Sequence, residues 1–173
     1  MIGSMRAVLI AVSDIPSSSI VSFTRKVVVM LSRLFIFFVS SVRLMAMTDQ
    51  EVVALTLLGE ARGEGRMGMY LVGCVIQQRS EVWNGGKSTP REVCLKRLQF
   101  SCWNGKGVKR ELLQTQEGEY ALWLANHIVK GNPLQREVVG FADHYHTHFV
   151  SPKWSKGKVP TRVFGGHRFF RLR

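Results

Sequence analysis

The chain has 173 residues, of which 46% are hydrophobic, so it can bury the core of one ordinary domain and is not a disordered tail. It carries 24 Lys and Arg against 12 Asp and Glu, a formal net charge of +12. A basic surface suits nucleic acid, anionic lipid, or a bacterial envelope that carries phosphates and carboxylates. The sequence shows no zinc-finger spacing, no RNA-recognition motif and no clear helix-turn-helix, so no nucleic-acid partner is expected.

Residues 1–47 differ in composition from the rest of the chain. They contain five basic residues and one acidic residue, and the stretch 27–42 is apolar apart from Arg33. That stretch is shorter than the ~20 apolar residues of a membrane-spanning helix, and no small-x-small cleavage site follows it. Three interpretations stay open: a signal peptide, a weak anchor, or an extension upstream of a natural start at Met45 or Met47.

The first two predicted helices lie in residues 49–79. Thr48 and Glu51 have the spacing of a capping box, which predicts a helix from about residue 49 to 61 that ends at Gly63 and Gly65. Apolar residues at i, i+3 and i+4 spacing predict a second helix over about 66–79, packed on the first.

Further helices are predicted up to residue 130. A capping box at Thr89 and Glu92, with Pro90 between them, predicts a short helix after a turn at 84–86. A loop covers 99–106, and the longest helix is predicted over about 109–130.

Strands are predicted only near the end of the chain. From residue 138 onward the sequence alternates aromatic and β-branched residues, with Gly165 and Gly166 placed as a tight turn. The predicted fold class is therefore α+β, helical first, with a small β element at the C-terminal end. Residues 48–173 are expected to form the catalytic domain.

Glu60 is the first candidate for chemistry. It lies at the end of an apolar helical run, and apolar surroundings favour the neutral form of a carboxyl group, which a general acid needs. Glu64 is four residues on and would share a helix face with Glu60 unless Gly63 breaks the helix. On residue type alone, both could equally be solvated residues at a helix end.

Three blocks of sequence together suggest a family. They are Gly-Glu-Ala-Arg-Gly-Glu at 59–64, Gln-Phe-Ser-Cys-Trp at 99–103, and Tyr-His-Thr at 145–147 with Val150, Pro152, Trp154 and the segment 166–171. In this order and spacing the chain resembles the cell wall hydrolases of the spore-cortex-lytic enzyme type, whose catalytic domain also occurs in phage and in bacteria that make no spores. The resemblance covers about residues 49–171.

The resemblance implies a lysozyme-like architecture, because these enzymes are similar in their catalytic core to lytic transglycosylases. It implies that Glu60 is the acid, since the first Glu of the family motif falls there. The expected substrate is the MurNAc-GlcNAc backbone of peptidoglycan. Cleavage is completed either by water, with Glu64 as second carboxylate, or by the muramyl 6-hydroxyl to give an anhydro sugar, which the analogy favours.

The expected substrate groove has two walls. One is formed by Gln99, Phe100, Ser101 and Trp103, whose aromatic and polar groups suit sugar faces and hydroxyls, and Tyr145 and His146 line the other. For Phe100 a place in the core is an equally good interpretation, and His167 is interpreted as structural.

The enzyme is expected to be a monomer that needs no cofactor. It would act at the cell envelope, periplasmic or wall-facing, with anionic wall polymers as further partners. A phage-type enzyme would stay cytoplasmic until release.

Two alternatives to a glycosidase remain: a non-enzymatic basic protein that binds the envelope or nucleic acid, and a zinc enzyme. His144, His146 and His148 would point to the same face of a strand, and three His can hold zinc with an open fourth position. This pattern would indicate a zinc-dependent amidase or peptidase that acts on the wall peptides. The resemblance matches only His146 of the three.

Cys74, Cys94 and Cys102 have no evident partner base, and only Cys94 and Cys102 are candidates for a disulfide.

Overall fold

The computed structural model describes residues 47–105 and 107–173, and the segment 1–47 lies outside them except for Met47. Helix α1 spans Asp49–Ala61 and begins with the predicted capping box, in which Thr48 and Glu51 satisfy each other's backbone amides. Every residue from Val52 to Leu58 is buried, so α1 is the central helix of the domain. Both ends of this helix are as the sequence predicts.

Helix α2 spans Gly65–Val82 and follows α1 through a single 3-10 turn, Arg62–Glu64. Its buried face packs on α1, as predicted. Helix α3 spans Pro90–Leu95 and begins with the second predicted capping box, at Thr89 and Glu92. The loop after α3 contains a 3-10 turn, Ser101–Trp103, that contacts α1.

The prediction of one long helix over 109–130 is wrong. The structure has a 3-10 helix, Arg110–Gln114, and then helix α4 over Gln116–Val129, with Thr115 as N-cap between them. Thr115 is extended, with φ −90° and ψ 165°, and this conformation interrupts the helix. Gly118 lies directly against the backbone of the 3-10 helix. The longest described helix is α2, with 18 residues.

Three short strands form an antiparallel sheet in the order β1-β3-β2. Strand β1 is His144–Thr147, β2 is Arg162–Phe164 and β3 is His167–Phe170. The predicted turn at 165–166 joins β2 to β3, with Phe164 paired to His167 across it. Helices followed by a small sheet confirm the α+β class.

The two faces of this sheet have different roles. Tyr145 and Phe169 are cross-strand partners on the inner face, which packs on the helices. His146 is paired with Arg168 on the outer face, which is partly covered by the segment 149–160. Consecutive residues of β1 therefore point into two different environments.

Residues Met47–Arg173 form one compact unit. Within residues 47–105 and 107–173, no helix has both the length and the apolar content to cross a membrane. The apolar stretch 27–42 lies outside the described residues.

Candidate active site

Glu60 lies in the last turn of α1 and is half-buried. Three donors from two distant parts of the chain converge on its carboxyl group. Oε1 accepts hydrogen bonds from Ser101 Oγ at 3.1 Å and from the Cys102 N–H at 2.9 Å, and Oε2 accepts one from the Tyr145 hydroxyl at 2.9 Å. The surroundings of Glu60 are thus more polar than its sequence neighbours suggest.

The loop that carries Ser101 is held against α1 by two contacts. Trp103 Nε1 donates to the buried Thr56 Oγ1 at 2.9 Å, one helical turn before Glu60. At Gly59 the loop lies so close that a Cβ atom there would be 2.5 Å from Cys102 Cβ and 2.7 Å from Val108 Cγ2. Gly59, which has no side chain, therefore allows the Cys102 amide to reach Glu60.

Tyr145 reaches Glu60 from the inner face of the sheet. Its ring borders both apolar clusters of the domain and lies 6.4 Å from the Phe100 ring and 5.7 Å from the Phe169 ring, centroid to centroid. Desolvation and the neighbouring Glu60 carboxylate raise the pKa of Tyr145 well above its ordinary value. The phenol therefore stays protonated at neutral pH and remains a donor to Glu60.

A buried cation lies behind this pair of side chains. Arg79 of α2 is 3% exposed, and its guanidinium lies 5.0 Å from the centroid of the Phe100 ring. Its Nε donates to the backbone carbonyl of Asp143 at 2.7 Å, and its charge attracts the ionised forms of Tyr145 and Glu60. Arg79 lies near a predicted helix end, and nothing in the sequence marks it as buried at this site.

Asp143, directly before β1, is also fully buried. Burial acts to raise the pKa of Asp143, but hydrogen bonds from His144 and from the Leu172 N–H outweigh it and hold the pKa below its ordinary value. The carboxylate thus fixes the start of β1 to the end of the chain. Arg79 and Asp143 together position the strand that carries Tyr145.

Glu64 has a different role in the structure from the one that helix spacing suggests. The α1 helix ends at Ala61, so Glu60 and Glu64 lie on separate elements and do not share a helix face. Glu64 Oε1 accepts a hydrogen bond from the Gly166 N–H at 2.9 Å, and its carboxyl group lies against Gly165, where a Cβ would overlap it. Glu64 thereby ties α2's start to the β2–β3 turn.

His167, which the sequence analysis interprets as structural, interacts electrostatically with Glu64 and Glu60. It is 5% exposed, its ring meets the Tyr145 ring edge-on at 5.2 Å, and its Nδ1 has no hydrogen-bond partner among the described residues. Burial lowers the pKa of His167, although Glu64 and Glu60 act in the opposite direction. The imidazole is consequently neutral at neutral pH. The position of His167 relative to Glu64 depends on where the β2–β3 hairpin packs, and the sequence alone does not predict that packing.

The other predicted site residues fall in three places. Ser101 and Trp103 lie in the loop beside Glu60, and Gln99 is partly exposed just before them. Phe100 is 1% exposed and belongs to the core under Tyr145. The structure does not bring His146 to Glu60, because it lies on the outer face of the sheet, stacked on Phe170 at 5.1 Å.

The three histidines proposed as zinc ligands do not converge. The rings of His144 and His146 both pack on Trp154, at 5.2 and 5.4 Å, whereas His148 lies beyond the end of β1 with Nδ1 3.2 Å from the Gly166 carbonyl oxygen. In the part of the chain that the structure describes, no group of three His, Cys, Asp or Glu side chains is placed to hold a metal ion together.

The three cysteines are free thiols. Burial raises the pKa of Cys74 and of Cys94 to about 12. Burial and the neighbouring Glu60 also raise the pKa of Cys102. The thiolate is the reactive form of cysteine, so none of these residues is activated as a nucleophile.

A family model described as Cell Wall Hydrolase matches residues 63–170, which contain Glu64, the loop 99–103 and Tyr145, while Glu60 lies three residues before the matched segment. No curated protein and no solved structure matches the chain.

Proposed function

The chain belongs to the cell wall hydrolase family, enzymes that degrade peptidoglycan, and from that premise we propose that it cleaves the glycan backbone with Glu60 as the general acid. The observation that carries the proposal is the convergence of Ser101, Cys102 and Tyr145 on one half-buried carboxyl group. A general acid must be held within reach of one proton-accepting atom, and three contacts from two segments, the loop at 101–102 and strand β1, fix this carboxyl in place.

The contacts assign different roles to the two oxygens of Glu60. The Cys102 N–H can only donate, so Oε1 remains an acceptor in every protonation state. The transferable proton therefore resides on Oε2. The Tyr145 hydroxyl donates to Oε2 after the proton has left. The hydroxyl thereby stabilises the carboxylate that forms as the glycosidic bond breaks.

The reaction proceeds in two steps. Glu60 gives its proton to the glycosidic oxygen, the bond to C1 of the muramyl sugar breaks, and positive charge develops on the ring. In the second step the 6-hydroxyl of the same sugar attacks C1 and returns its proton to Glu60. The product is a 1,6-anhydro sugar, and no water is consumed.

The contacts of Glu64 favour this route over hydrolysis. In hydrolysis a second carboxylate activates water or attacks C1 itself. Glu64 Oε1 is engaged by the Gly166 N–H, and the carboxyl group packs on the hairpin turn. We assign Glu64 to holding the β2–β3 hairpin, which also carries His167.

The remaining assignments concern the substrate and its location. Ser101 and Trp103, with Gln99 beside them, form the wall of the groove next to Glu60. The substrate is the glycan strand of peptidoglycan, as in the spore-cortex-lytic type, so the enzyme acts at the wall.

The test compares Glu60→Gln with Glu64→Gln on purified peptidoglycan. Glu60→Gln keeps the size of the side chain but has no proton to give, and loss of a general acid costs about 10² to 10⁴ in rate. Glu64→Gln retains an oxygen that accepts from Gly166 and should lose about tenfold or less. Circular dichroism checks that both variants are folded. Full activity in Glu60→Gln would refute the assignment, and equal complete loss in both would favour a two-carboxylate hydrolase.

A further inference from the structure

A concave site lies on the outer face of the sheet, the face opposite to the one that carries Tyr145. It is a pocket of about 340 Å³ formed between β1, β3 and the segment 149–160. His146 on β1 and Arg168 on β3, which are cross-strand partners, form its floor. The site proposed for catalysis uses none of the side chains that line this pocket.

The pocket is strongly basic. Its lining includes Lys156, Lys158 and Arg168 together with His146 and His148, and it contains no Asp or Glu. The whole segment 144–173 has seven Lys and Arg and no acidic residue. Among the described residues, none of these three cations forms an ion pair. Their charges are therefore available to an anionic ligand.

The lining is also apolar in one part. Phe149 is 84% exposed and Val150 is 52% exposed, and both line the pocket beside the cations. Exposed apolar side chains next to unpaired cations suit a ligand with both carboxylates and small apolar groups. A phosphodiester polymer would use the cations only.

The pocket is connected to Glu64 through one residue, Gly166. The carbonyl oxygen of Gly166 lies 3.2 Å from His148 Nδ1 on the pocket side, and the N–H of the same residue donates to Glu64. His148, which lines the pocket, and Glu64 thus contact the same residue of the β2–β3 turn.

We propose that this pocket binds the carboxylates of the peptide stems of peptidoglycan, with Lys156, Lys158 and Arg168 as the anion-binding groups and Phe149 and Val150 against the alanine methyl groups. The proposal rests on the proposed function, because the stems are joined to the muramyl sugars that the cleft would hold. It adds a second point of attachment that selects glycan strands whose stems are still present.

The test measures binding of a synthetic stem tetrapeptide to the full chain by calorimetry. The pocket variant carries Lys156→Gln, Lys158→Gln and Arg168→Gln, all at exposed positions. The matched control carries Arg97→Gln, Lys109→Gln and Lys130→Gln, which removes the same charge at exposed positions outside the pocket. We expect the control to bind as the wild type does and the pocket variant to bind about tenfold or more weakly.

Two further arms identify the source of the anion. Glycerol phosphate replaces the peptide in one, and stem-free glycan replaces it in the other. Absence of peptide binding to the wild type, equal losses in both triple variants, or binding of glycerol phosphate alone would each overturn the proposal. Fragments from intact peptidoglycan are analysed in parallel. Peptide binding without glycan cleavage would refute the proposed function, and glycan cleavage without peptide binding would refute only this inference.

Discussion

The close approach of the loop to α1 at Gly59 allows a test that leaves every catalytic side chain in place. In Gly59→Ala the new Cβ would lie 2.5 Å from Cys102 Cβ. Carbon atoms in contact prefer about 3.5–4.0 Å, so the loop must move by about 1 Å or more. The Cys102 nitrogen, which lies 2.9 Å from Glu60 Oε1, would then lie about 3.9 Å from it, beyond hydrogen-bonding distance.

The expected loss of activity is large compared with the expected loss of stability. A displacement of 1 Å at a catalytic group can lower the rate about 10²-fold. Overpacking lowers the free energy of unfolding by about 1–3 kcal/mol, and the better helix propensity of Ala offsets about 1 kcal/mol of that loss. The assay is the fall in turbidity of a peptidoglycan suspension, together with thermal unfolding. Gly63→Ala is the control, because a Cβ there meets nothing within 4 Å. If Gly59→Ala is as active as Gly63→Ala, the contact between Cys102 and Glu60 is not needed for catalysis.

Four other outcomes are expected. Tyr145→Phe removes only the hydroxyl that contacts Glu60 and should lower the rate of lysis about tenfold or more at nearly unchanged volume, in the turbidity assay. Cys74 and Cys94 have a folded pKa of about 12 against an ordinary 9.0, so denaturant titrations should show stability falling as pH rises above about 9, a fall that Cys74→Ala reduces. The pKa of His167 is lowered in the folded state, so stability should fall as pH decreases below the ordinary value of 6.5, and His167→Gln should flatten that dependence. A protein that begins at residue 48 should fold and lyse isolated walls, with or without a chelator, and a folded but inactive product would contradict this.

The helical half of the domain could be predicted from sequence because its signals are local. Capping boxes at Thr48 and Thr89, and apolar stripes on α1 and α2, each lie within a few residues of the element they define. The exception is the interruption at Thr115, whose cause is local but is not part of the apolar periodicity. Gly118 packs on the backbone of the preceding 3-10 helix, and helical periodicity does not encode that contact.

The candidate site could be predicted only in part, since it is assembled from distant segments. Resemblance located Glu60, Ser101 and Tyr145, but their hydrogen bonds join residues 41 to 85 positions apart in the chain. Arg79 shows no motif, and its position depends on how α2 packs on the sheet. His146 falls on the outer face because alternate residues of a strand point to opposite sides.

Mass spectrometry of fragments released from purified peptidoglycan identifies both the bond that is cleaved and the group that completes the cleavage. Our account predicts fragments that end in 1,6-anhydro-muramyl sugars, formed by the wild type and absent with Glu60→Gln. Reducing muramyl ends would contradict the proposed second step. Fragments cleaved within the peptide stems, or anhydro products formed by Glu60→Gln, would contradict the assignment of Glu60 as the general acid of a glycan-cleaving enzyme.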